Sequence, residues 1–147
     1  TVTEKTVTAK YPGGTTGNMG DSNEAATLGL DATVFTVIGN KCTPSNNVGL
    51  NQNGDFRLYH DSSAGNGTEL TISVAAGRTI KSIKITFTSA SYAANCQISV
   101  NGAPVKTSDG TSTVLESDIN ASSFVLKNVG TTKQIRIASI EIVYTEA

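Results

Sequence analysis

The chain has no Trp, a single His and only two Cys, and charged side chains make up just 16% of its 147 residues. Each shortage removes a class of function. A zinc site of several His ligands cannot be assembled, and a Ser-His-Asp triad would have to be built on His60 alone. Eleven basic against twelve acidic residues leave a net charge of -1, without the basic surplus that displaces counterions from nucleic-acid phosphates. No apolar run approaches the roughly 20 residues of a membrane-spanning helix, so no membrane insertion is expected. In their place stand Thr, Ser, Asn and Gly, about two fifths of the chain, a bias toward strands, turns and neutral hydrogen-bonding surface. A length of 147 residues with 37% hydrophobic content suits one core. The start at Thr1 without Met reads as a single module, residues 1–147, excised from a larger protein.

Two states are open to Cys42 and Cys96. In an exported protein they can close a loop of about 54 residues, which chain entropy values at about 4 kcal/mol. Apart, they are small buried thiols.

Hydrophobic periodicity marks strands nearly throughout. Ile83, Ile85 and Phe87 alternate with Lys84, Thr86 and Thr88, and Ile140, Ile142 and Tyr144 repeat the pattern 57 positions on. In both segments the apolar phase slips by one just before the central Ile, which predicts a β-bulge in each. The resemblance fits either an internal repeat or two strands with the same task in opposite sheets, and the second is the expectation. Asn53-Gly54 and Asn101-Gly102 predict two hairpins, the first joining Val48–Asn51 to Asp55–His60. Further strands are expected around Val34–Ile38, Leu70–Val74 and Phe124–Leu126, with an N-terminal edge strand over Val2–Ala9 and a long loop over Gly13–Gly20. Asp21 followed by Glu24 resembles a capping box and predicts a helix of two turns ending at Gly29. About ten short strands and one short helix give an all-β fold, an antiparallel β-sandwich of jelly-roll type.

Signals for chemistry are sparse. His60 is followed by Asp61, but neighbours along a strand point to opposite faces, so the two do not form a base with its orienting partner. Asp55, Asp61, Glu69 and Glu116 are available as carboxylates, yet nothing in their spacing selects the facing pair that glycoside hydrolysis needs. Gly13-Gly14 and Gly65-Asn66-Gly67 lack the context of a phosphate-binding loop. No organic cofactor is implied. A structural calcium ion would draw on Asp21, Asp31 or Asp61.

Neutral ligand recognition remains. A sugar is held by an aromatic platform and a few placed polar groups. With Phe56 and Leu58 inward, Arg57 and Tyr59 are presented outward together. The hairpin partner brings Asn51 and Gln52 close, Lys41 lies upstream, and Tyr92 and Tyr11 stand in expected loops. Without Trp, stacking falls to Tyr11, Tyr59 and Tyr92.

The segment Gly39–Ser73, with its Arg57-Leu58-Tyr59 strand, and the closing Ile135–Tyr144 strand resemble the β-sandwich modules appended to polysaccharide-degrading surface proteins of gut bacteria. Among these they are most similar to the carbohydrate-binding modules of cell-surface amylases and starch-adherence proteins. The resemblance implies a non-catalytic module for α-glucan such as starch, on an extracellular or cell-surface protein, with polysaccharide or oligosaccharide and the parent chain's other modules as partners. A structural or adhesive spacer is the alternative.

Overall fold

The alternation of apolar and polar side chains is realised as twelve strands in two antiparallel sheets, described over residues 1–147 by a computed structural model. The strands are β1 (Thr3–Ala9), β2 (Gly17–Asn18), β3 (Phe35–Asn40), β4 (Gly49–Leu50), β5 (Phe56–Leu58), β6 (Glu69–Val74), β7 (Arg78–Phe87), β8 (Ala94–Val100), β9 (Ala103–Asp109), β10 (Val114–Ala121), β11 (Ser123–Asn128) and β12 (Ile135–Glu146). The larger sheet runs β10-β7-β12-β5-β4-β2, with β1 also paired to β12; the smaller runs β3-β6-β11-β8-β9. β12 is long enough to hold two neighbours on one edge, β5 at Ile135–Ile137 and β1 at Ile140–Glu146, while β7 lines the other.

Both sheets turn their apolar faces onto one core of 30 buried residues. Phe35 from the smaller sheet meets Tyr144 from the larger edge to face, with ring centroids 5.2 Å apart, so the layers lock through an aromatic pair. In β5, Phe56 and Leu58 are fully buried, each contributing roughly 1.5–3 kcal/mol. That burial fixes Arg57 on the outer face.

Both expected bulges exist, but the strands carrying them are not in opposite sheets. β7 and β12 are direct neighbours, and their register shifts between Ile137 and Ser139 and again between Val143 and Tyr144. The first shift leaves Ala138 without a partner in β12, the second Lys81 in β7. Each strand thus carries the extra residue once, which explains why both sequences slip phase at the same place.

The short helix expected from Asp21 is a single 3-10 turn at Ala26–Leu28, closed by Gly29 at φ 74°. The preceding residues bind the edge of β3 instead. Glu24 N–H donates to Val37 O at 2.8 Å, and the Asn23 side chain accepts from Val37 N–H and donates to Phe35 O. A Glu24 amide committed to the sheet edge is not free to bond the Asp21 side chain as a capping box requires, and the edge gains cover. A second 3-10 turn, Ala90–Tyr92, leads into β8.

The Asn101-Gly102 turn has both residues at positive φ, 52° and 80°, as a two-residue hairpin requires. The β4–β5 connection closes where expected, Asn51 N–H donating to Asp55 O, but Gly54 alone takes positive φ, so Asn53-Gly54 is not a two-residue turn of the Asn101-Gly102 kind. The Gly13–Gly20 loop carries β2, a two-residue strand on β4. β10, which sequence periodicity did not reveal, forms one end of the larger sheet.

Candidate functional site

A cleft of about 260 Å³ is lined by Tyr59, His60, Tyr92, Thr132, Lys133 and Gln134. Three segments build it: the end of β5, the 3-10 turn before β8, and the loop entering β12. Tyr59 is half-buried and lies over Gly49 of β4, where any Cβ would collide with its phenol. Its hydroxyl is 3.5 Å from Asn18 Oδ1. Tyr92, also half-buried, is fixed by cations: the Arg136 guanidinium carbon sits 3.7 Å from the ring centroid and Lys133 Nζ 5.0 Å, each contact worth about 0.5–2 kcal/mol. Tyr59 is the freer ring and Tyr92 a clamped wall.

Asn128 sets this geometry from below. It is fully buried, donates from its amide to Leu58 O at 3.0 Å and Lys133 O at 2.9 Å, and accepts from Gly130 N–H at 3.0 Å. One side chain thereby joins the β5 exit to the β12 entry loop. Thr68 N–H holds Tyr59 O at 2.9 Å. Four buried side-chain polar atoms in the chain lack a partner: His60 Nδ1, Thr68 Oγ1, Gln134 Oε1 and Arg136 Nε. All four belong to residues that line this cleft or bond to and stack on the residues that do. Local departure from hydrogen-bond saturation marks a place not shaped for stability alone.

Beside the cleft is a second depression of about 370 Å³, lined by Lys10, Asn53, Gly54, Asp55, Arg57, Thr88, Arg136 and Ala138. Arg57 lies directly opposite Arg136 in the β5–β12 ladder and donates Nε–H to Asp55 Oδ2 at 2.7 Å. The largest depression, about 550 Å³, lies elsewhere, at Ser82, Lys84, Lys106, Glu116, Asp118 and Glu141 among others. It holds no aromatic ring and its charges are mixed, so it offers a sugar no platform.

The expected residues divide. Tyr59 and Tyr92 meet in the cleft, and Arg57 stands in the adjoining depression. Tyr11 does not offer a platform: it is buried in the core, its hydroxyl donating to Thr15 O at 2.7 Å. Asn51 and Gln52 lie in the β4–β5 loop, where Asn51 Oδ1 accepts from Asn53 N–H and Gln52 N–H donates to Thr16 Oγ1. Neither they nor the exposed Lys41 line the cleft. Lys133, Gln134, Arg136, Gly49 and Asn128 were missed. Only Asn128 had left a trace, as the polar residue continuing the inward phase of Phe124 and Leu126.

The carboxylates are engaged singly. Asp61 accepts from the amides of Ser63, Ala64 and Asn66, and those of Ser63 and Asn66 foremost hold its carboxyl below the usual range. Asp61 therefore organises a loop and does not orient His60. Asp31 is likewise lowered, by the Thr33 hydroxyl and amide. Asp21 is exposed, and no three His, Cys, Asp or Glu side chains gather in one place. Glu69 pairs with Lys127 at 3.3 Å, and no carboxylate lines the cleft. Cys42 and Cys96 are both free thiols. Burial pushes Cys96 up to about 12, and Cys42 is raised by burial and by Glu69.

No family model and no curated protein matches the chain. Among solved structures it is similar to the family 32 carbohydrate-binding module of C. perfringens NanJ, determined in complex with galactose. The identity is 17%, the match covers 93% of this chain and 99% of that one, and the TM-score is 0.41.

Proposed function

We propose that the chain is a non-catalytic carbohydrate-binding module that targets a parent protein to polysaccharide, with α-glucan such as starch the first ligand to test. One observation carries this reading: Tyr59 and Tyr92, distant in sequence, wall the same cleft together with His60, Lys133 and Gln134. Half-buried Tyr59 supplies the ring face beside the wall formed by Tyr92, and the three polar residues supply hydrogen bonds to hydroxyls. The α-glucan specificity, the extracellular or cell-surface setting and the attachment to other modules rest on the sequence resemblance. Weak binding here raises the local substrate concentration for a catalytic module on the same chain.

Affinity electrophoresis in gels containing starch, glucomannan or xylan tests the reading. At least one polysaccharide is expected to retard the protein, and Tyr59→Ala is expected to abolish retardation while the thermal transition persists. Unchanged mobility in every gel, acidic polysaccharides included, would leave the spacer reading in its place.

A further inference from the structure

We propose that the depression beside the tyrosine cleft binds the anionic group, carboxylate or sulfate ester, of an acidic glycan, a specificity that deepens the carbohydrate reading above and rests on it. Lys10, Arg57 and Arg136 converge there with Asp55 as the only carboxylate, three cations against one anion in a chain whose net charge is -1. Arg57 and Arg136 occupy opposed positions of neighbouring strands, where like charges are destabilising. A sheet selected for stability alone would place opposite charges there. Each Arg is engaged by a separate partner. Asp55 takes the Nε–H of Arg57, and the Tyr92 ring takes the flat face of Arg136.

Those contacts leave donors free. The only protein acceptor bonded to the Arg57 guanidinium is Asp55, through Nε, and Arg136 Nε is buried with no acceptor at all. Planar guanidinium groups bind carboxylate and sulfate oxygens through paired N–H donors, so one anion held between the two would offset their repulsion through their terminal nitrogens, the buried Arg136 Nε lying out of its reach. Arg136 also joins the two depressions, since it lines one and stacks on Tyr92 of the other. Arg57 and Tyr59 both lie against Gly49 of β4, the Tyr59 phenol and the Arg57 Cβ each falling within contact distance of a Cβ built there. A ring on Tyr59 and the acidic group of its neighbour at Arg57 and Arg136 can be engaged together.

The test compares gels containing polygalacturonate, a sulfated galactan and neutral starch, at low and high salt. Acidic polymers are expected to retard the wild type more than starch does, with retardation weakening as salt rises. The order of polygalacturonate and sulfated galactan tells carboxylate from sulfate. The double variant Lys10→Gln/Arg57→Gln is expected to lower affinity for the acidic polymer about tenfold or more, with its circular dichroism spectrum and thermal transition retained. Lys84→Gln, in the distant mixed-charge depression, is expected to change nothing. Equal retardation by acidic and neutral polymers, or equal losses from Lys84→Gln and the double variant, would overturn the anion pocket. If starch binding survives and acidic preference is absent, the anion pocket fails while the carbohydrate reading stands. If no polymer, acidic or neutral, retards the protein, the carbohydrate reading itself fails.

Discussion

Replacing Asn128 with Ala tests how the cleft is held. The side chain makes three hydrogen bonds in a fully buried position, two to the carbonyls of Leu58 and Lys133 and one from the Gly130 amide. Alanine leaves all three groups unpaired. A buried unsatisfied group costs about 1–3 kcal/mol, but Lys133 itself is exposed, so water can reach part of the opened site. A net loss of about 3 kcal/mol follows, equivalent to a melting temperature lower by about 6–12 °C for a chain of this size. Thermal denaturation followed by circular dichroism reads it directly, and tyrosine emission gives a second probe because the chain contains no Trp. A decrease smaller than about 2 °C would refute the assignment of Asn128 as the tie between β5 and the β12 entry loop.

Gly49→Ala introduces a Cβ where the Tyr59 phenol rests; the obstacle is the far end of a side chain, so the ring moves while the sheet persists. Polysaccharide retardation is expected to fall with little change in melting temperature, and unaltered retardation would show that Tyr59 is not the platform. Cys96, with its thiol pushed up to about 12 and no exposure, is expected to resist alkylation by iodoacetamide at about pH 8 until the protein is denatured; mass spectrometry of labelled peptides would expose the opposite result. Asp61 has a carboxyl lowered by backbone amides, so its stabilisation is present above the ordinary carboxylate range and lost as pH falls through the lowered value. The melting-temperature gap between wild type and Asp61→Ala should therefore be wide at neutral pH and narrow as pH falls below the ordinary carboxylate range. A gap independent of pH would contradict the role given to that carboxylate.

Much of the fold is legible in the chain because strand period and turn chemistry are local. Phe56 and Leu58 declare an inward face, and Asn101-Gly102 declares a tight turn whatever the partner strand is doing. The expected helix failed for a nonlocal reason: Asp21 and Glu24 satisfy a local rule, while Glu24 N–H finds its acceptor at Val37, thirteen positions away. Tyr11 was misread similarly. It follows a strand and precedes Pro12-Gly13-Gly14, a context typical of surface loops, yet that loop folds back and the ring fills the core. The bulged segments were recognised one by one, but their pairing with each other depends on sheet order, which no local pattern encodes.

By itself the sequence determined the all-β class, the inward and outward faces of β5, and the absence of Trp that passes any ring stacking to Tyr. These follow from side-chain alternation and composition, which every segment carries on its own. Tertiary structure decided which tyrosines meet, that Arg57 faces Arg136, and that Asn128 ties the cleft's two sides. Each of these depends on strand order and register, set by the packing of the whole core and not by any stretch of chain taken alone.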